Sequence, residues 1–205
     1  MIGVSAYTIS QCEEAMGEDA LNVFLQSFSC PKNEEVERFL KEKARNSTRM
    51  SSSMTYLVWN DERHELLGYF TLMAKCYSVV GKTLNSKNRR LVERFAEINE
   101  DGVFNAAVYL IAQLGKNFAL PKERRISGVD LLLLALEKFR TVKSVIGGKL
   151  VMIEREDDRP KLLDFYKSNG FKSWTSRYSA KDRVTYDQMF TLLNDLQPPT
   201  GDSGP

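Results

Sequence analysis

Residues 104–141 constrain this chain more than any other stretch. "FNAAVYLIAQLGKN" at 104–117 is an almost continuous apolar run, which suits a β-strand covered on both faces. "ERRISGVDLLLLAL" at 123–136 follows. In it and just beyond, Leu132, Leu133, Leu136 and Phe139 form one face of a helix, and Leu131, Leu134 and Ala135 most of another. A helix apolar on more than one side is buried on more than one side. A strand covered twice beside such a helix requires layers, so the expected class is α/β.

The remaining pattern agrees. Short strands are expected at 4–10, 54–61 and 65–79, the last two joined by the turn "NDERH". Helices are expected within 12–28, over 30–46 (Pro31 and Asn33 at its start, acids in its first turn, bases in its last) and over 86–98. After the central helix, to about Thr141, come a strand at 147–157 and a short helix with Pro160 near its first position and Gly170 past its end. Strands at 172–179 and 184–193 close the chain. No repeat or linker interrupts it, so one domain is expected over 1–195, with "QPPTGDSGP" as a disordered tail over about 196–205.

Composition narrows the function classes. A net charge of +2 gives no general nucleic-acid signal, although Lys82, Lys87, Arg89, Arg90, Arg94, Lys122, Arg124 and Arg125 would suffice for a local basic face. Such residues ordinarily form solvated helix and loop faces. Cys12, Cys30 and Cys76 are scattered and odd in number, which argues against a disulfide framework and suits a reducing cytoplasm. His64, the one histidine, sits in a turn; a zinc site or a Ser-His-Asp triad would rest on it alone, and a turn histidine is ordinarily just solvated. The N-terminus lacks a basic segment followed by a long apolar run, and "LLLLAL" is too short to span a bilayer, so neither a secretory signal nor a membrane segment is expected.

The start of the central helix reads in two ways. Its free N–H groups and the positive end of its dipole attract an anion; Gly128 permits close approach, and Arg124 and Arg125 add charge that a phosphate would match. Equally, Ser127 or Asp130 caps an ordinary helix and the arginines are solvated. There is no GxxxxGKS and no GxGxxG, so ATP and dinucleotide sites are unsupported. Downstream, "LLDFYKSNGF" places Tyr166 near the end of a short helix, either as a core phenol or as a hydroxyl offered to a leaving group.

Together these motifs resemble the GCN5-related N-acetyltransferase (GNAT) superfamily. Arg125-Ile126-Ser127-Gly128-Val129-Asp130 is similar to its Q/R-x-x-G-x-G/A motif, Tyr166-Lys167-Ser168-Asn169-Gly170-Phe171 to its Y-x-x-x-G-F, and the strand "LIAQLGKN" to its L-A-x-L-A-V-D strand. The match covers about 104–193; the first half looks like the subgroup holding many toxin acetyltransferases of toxin–antitoxin pairs. Asp130 stands where the motif has Gly or Ala, "FALPKER" lengthens the loop, and the asparagine that often follows the fifth strand is absent.

The resemblance implies a single-domain fold with a mixed, mostly antiparallel central sheet flanked by helices. It implies acetyl-CoA as co-substrate, no metal, and direct attack of an amine on the thioester in a ternary complex. The pyrophosphate would be bound around Arg124, Arg125, Ile126, Ser127, Gly128, Val129 and Asp130. Backbone near Leu114 and Lys116 would pair with the pantetheine and polarise the acetyl carbonyl, and Tyr166 would be the general acid. Gln113 would line the acceptor side, and Glu154, Glu156, a carboxylate of the first half or water would take the amine's proton. The acceptor is left as a small amine, a protein amine or an aminoacyl-tRNA. An antitoxin protein and a homodimer are the implied protein partners, and a non-catalytic acyl-CoA-binding module is the alternative of another class.

Overall fold

The computed structural model describes residues 3–156, 158–180 and 183–193; the tail expected at 196–205 lies outside them. The elements are β1 Val4–Thr8, α1 Ile9–Met16, α2 Glu18–Ser27, α3 Glu34–Arg38, a π-helical turn Phe39–Lys43, α4 Ala44–Arg49, β2 Met54–Asn60 and β3 Glu65–Val80. They continue with α5 Ser86–Val92, β4 Glu97–Ile98, β5 Val103–Lys116, α6 Gly128–Ile146, β6 Leu150–Glu156, α7 Pro160–Ser168, β7 Lys172–Ser179 and β8 Val184–Leu192. The strands form an eight-stranded sheet in the order β1-β2-β3-β5-β6-β8-β7, with β4 paired to β5. The pairs β1–β2, β2–β3, β4–β5, β6–β8 and β7–β8 are antiparallel.

The chain divides into two compact units, Met1–Met73 with Ile111–Lys138, and Ala74–Leu110 with Phe139–Pro205. In the first, Ile9, Leu21, Leu25, Phe28, Val36, Leu40, Leu57, Leu66 and Tyr69 form one buried cluster. Local chemistry sets its helix starts. Thr8 and Gln11 make a capping box at α1, and Asn33 accepts from the amides of Glu35 and Val36 at α3. The predicted helix 30–46 is thus two α segments around a π turn. Tyr69 donates its hydroxyl to the Val36 carbonyl there at 2.5 Å. Gly115 permits the packing: a Cβ would meet Val36 Cγ1 at 2.6 Å and Tyr69 Cε1 at 2.9 Å.

In the second unit Trp174 stacks on Phe190, Tyr77 tilts against Phe190, and Tyr109 stacks on Phe139. The helix expected over 86–98 stops at Val92, and Glu97 and Ile98 instead pair with Asn105 and Phe104. The cause is a tight turn: the Gly102 amide donates to Asn99 O, the Asn99 amide to Val103 O, and Gly102 sits at φ +76°. Among the described residues no helix is long and apolar enough to cross a membrane, and no group of three or more His, Cys, Asp or Glu is placed to hold a metal ion.

Candidate functional site

The start of α6 is a capped helix start. The Ser127 hydroxyl accepts from the Asp130 amide at 3.0 Å and donates to the Asp130 carboxylate at 2.7 Å, and the Leu131 amide donates to Ser127 O at 3.2 Å. Ser127 is therefore the N-cap and Asp130 the third helical residue, an acid where the dipole favours one. The amides of Gly128 and Val129 precede the first intrahelical bonds, so the helix itself supplies them no carbonyl. Asp130, the misfit of the sequence motif, turns its carboxylate back onto the cap.

The arginines are not simply solvated. Arg125 donates from Nε to Leu120 O at 2.7 Å and from Nη2 to Phe118 O at 2.9 Å, closing the long loop on itself, and its guanidinium lies 5.1 Å from the Phe118 ring centroid. Arg124 pairs with Glu65, and buried Ile126 anchors the segment between loop and helix. Asn117, 3% exposed, ties the loop down: Oδ1 accepts from the amides of Ser29 and Ala119, and Nδ2 donates to Leu66 O. Leu114, Lys116 and Gln113 lie on β5 just before it, all half-buried. Burial, then the charges of Lys32 and Arg125, push the Lys116 ammonium below its usual range, with Cys30 opposing.

In the second unit, Tyr166 occupies a helix end of defined geometry. The Phe171 amide donates to Tyr166 O at 3.0 Å and the Gly170 amide to Lys167 O at 3.1 Å, with Gly170 at φ +83°. That is a Schellman motif, and its usual apolar contact is the edge-on packing of Tyr166 against Phe171 at 5.5 Å. The spacing Y-x-x-x-G-F is thus the chemistry of a helix stop: glycine supplies the left-handed residue, and the two aromatics clasp across it. Burial pushes the Tyr166 phenol up to about 12, so it stays protonated at any ordinary pH.

The two carboxylates considered as bases are both engaged. Burial pushes Glu154 up, but hydrogen bonds from Arg177 and Gln188 and the charges of Lys75 and Arg177 outweigh it and hold the carboxyl below its usual range. Glu156 pairs with Arg159 at 2.6 Å. The cofactor candidates Leu114, Lys116 and 124–130 fall in the first unit and Tyr166 in the second. Sequence reading passed over Gly115, Asn117 and Phe118, although "LGKNF" interrupts the apolar run with a glycine and an amide.

No family model matches the chain, and no curated protein matches its sequence. Solved structures do. One of AtaT complexed with acetyl-methionyl-tRNAfMet is 18% identical, covers 89% of this chain and 93% of its own, and has a TM-score of 0.60. A tyrosine-to-phenylalanine mutant of AtaT, bound to the C-terminus of the antitoxin AtaR and acetyl-CoA, is 17% identical over 94% and 95%, with TM-score 0.61. A tyrosine-to-phenylalanine mutant of KacT is 16% identical over 95% and 97%, with TM-score 0.65. The likeness establishes the fold: the chain has the fold of these proteins along nearly its whole length.

Proposed function

We propose that this chain is an acetyl-CoA-dependent N-acetyltransferase acting on a primary amine, and that the amine is that of an aminoacyl-tRNA, as for a toxin held in check by an antitoxin. The observation that carries the reading is the start of α6, where Ser127 caps the third amide and those of Gly128 and Val129 lack an intrahelical carbonyl. They suit a pyrophosphate, and Arg125, although bonded to the loop, keeps its charge three residues away. The aminoacyl-tRNA acceptor and the antitoxin are supported by the AtaT structures with acetyl-methionyl-tRNAfMet and with AtaR. A cytoplasmic location follows from that acceptor.

Acetyl-CoA supplies an acetyl thioester, and the chain's own groups do the rest. Backbone of β5 near Leu114 and Lys116 hydrogen-bonds the pantetheine and the carbonyl oxygen, where negative charge develops. Tyr166, protonated up to about pH 12, donates its hydrogen to the departing sulfur. With Glu154 and Glu156 held in ion pairs, water takes the amine's proton. That suffices for an α-amine, which titrates at about 7.7–8.0 and is already partly neutral near pH 7.5, whereas a lysine amine at about 10.4 is not. The chemistry on this chain therefore favours an α-amino acceptor.

A thermal-shift comparison of acetyl-CoA, ATP and NAD tests the cofactor. Acetyl-CoA alone should raise the melting temperature, because a ligand that binds the folded state stabilises it by about 2.7 kcal/mol at 100 times its Kd. No shift with acetyl-CoA, or an equal shift with ATP, sinks the reading.

A further inference from the structure

Arg155 is the one charged side chain buried as a whole among the described residues. It stands near the end of β6, opposite Asp187 in the antiparallel register with β8. Its Nη2 donates to Asp187 Oδ2 at 3.0 Å. The same carboxylate oxygen accepts the Ser173 hydroxyl of β7 at 2.8 Å, so one ion pair joins three strands.

The other half of the guanidinium leaves the sheet for the next element. Nη1 donates to Glu156 O at 2.8 Å and to Arg159 O at 3.4 Å, and the Arg159 side chain returns to Glu156 at 2.6 Å. Arg159 is the N-cap of α7, and its side chain makes no cap bond. Its carbonyl accepts the amides of Leu162 and Leu163 at 3.1 and 3.3 Å. Arg155 therefore holds the carbonyl from which the ladder of α7 grows. That helix has nine residues, about 13 Å of axis. It ends at the turn that Tyr166 and Phe171 close. A helix this short shifts as one body, so a displacement at its start is carried to Tyr166.

Stability gives little reason for such a pair. Taking two charges out of water largely cancels their attraction, and an apolar pair of similar volume is often as stable. What the pair adds is direction. A guanidinium is planar with its donors in a fixed fork, so partners that fix one edge fix what the other edge holds.

We infer that Arg155 is a positioning residue: with Asp187 and Ser173 it sets the start of α7 on the sheet, and through that helix the place of the Tyr166 hydroxyl, an inference that rests on the general-acid reading of Tyr166. Arg155 acts through the helix and not on the reacting atoms.

Two changes in the full chain test it, each made alone and with Tyr166→Phe. Arg155→Lys keeps a cation for Asp187, but one ammonium lacks the fork that spans carboxylate and carbonyls. Arg155→Met/Asp187→Leu removes both charges together, so neither is left buried without its partner. In both, kcat should fall about 10–10²-fold, since a misplacement of about 1 Å costs up to about 10²-fold. The calorimetric Kd for acetyl-CoA should stay at its wild-type value, and the urea midpoint of the Met/Leu variant should not fall. In the Tyr166→Phe background neither change should lower turnover further, because the hydroxyl they act through is gone. Hydrogen exchange reads the same tie without acetyl transfer: α7 amides should exchange about tenfold faster in both variants, with those of β6 and β8 unchanged.

A loss that adds in full to that of Tyr166→Phe would make the pair a structural tie only and overturns the inference. So does wild-type α7 exchange in Arg155→Lys. Tyr166→Phe turning over like wild type removes the general-acid reading and the inference with it, whereas a Tyr166→Phe loss beside wild-type turnover in Arg155→Lys removes the inference alone.

Discussion

Tyr166 is held by its backbone. Its carbonyl accepts the Phe171 amide and its ring packs between Phe165 and Phe171, so the hydroxyl is not what positions the residue. Tyr166→Phe should leave the unfolding free energy within about 0.5 kcal/mol of wild type in urea, leave the acetyl-CoA Kd unchanged, and lower turnover about 10²–10⁴-fold, the usual worth of a general acid. Equal turnover in that variant removes Tyr166 from the mechanism. Asp130 tests the other end. Its carboxylate belongs to the cap yet carries the wrong sign for an anion site. Asp130→Asn keeps an acceptor for Ser127 and removes the charge, so calorimetry should find several-fold tighter acetyl-CoA binding; weaker binding would place the pyrophosphate elsewhere.

At the scale of elements, much was legible because one local interaction decided it. The "Y-x-x-x-G-F" spacing is a helix stop, and "RISGVD" holds both the capping serine and the amides beyond it. What remained hidden depends on residues far apart in the chain. Tyr69, more than thirty residues on, bonds Val36 in α3, just before the π turn at Phe39–Lys43. Asn117 reads as a strand end, yet it pins Ser29, Ala119 and Leu66. The stop of α5 at Val92 was readable but missed: "NEDG" is a turn signal, and it let the pairing of Ile98 with Phe104 win over helical periodicity. Gly115 carries the sharpest consequence for packing. A methyl there would meet Val36, Tyr69 and Phe28 at 2.6, 2.9 and 3.2 Å, so Gly115→Ala should cost about 1–3 kcal/mol in urea unfolding. A neutral result would mean that α3 is free to shift off the strand.

For the whole molecule, the buried phenols set the alkaline limit. Burial raises Tyr69, Tyr77 and Tyr166, the last to about 12. Below the unfolded value of about 10 both states keep these protons and stability is complete. Above it the unfolded chain releases them first, so stability falls as pH rises from about 10 towards 12. The urea midpoint should therefore hold from pH 8 to 9.5 and drop by pH 10.5, and less so in Tyr166→Phe; a flat profile to pH 11 would contradict the burial.

The central claim concerns transfer, and transfer is measured directly. Purified chain, acetyl-CoA labelled in the acetyl group and a set of charged tRNAs should yield N-acetyl-aminoacyl-tRNA with stoichiometric release of coenzyme A, with the rate falling about 10²–10⁴-fold in Tyr166→Phe. Folded protein that binds acetyl-CoA, yet labels no charged tRNA while acetylating a lysine-bearing peptide or a small amine, would contradict the assigned acceptor. Failure to label any amine would contradict the enzyme itself.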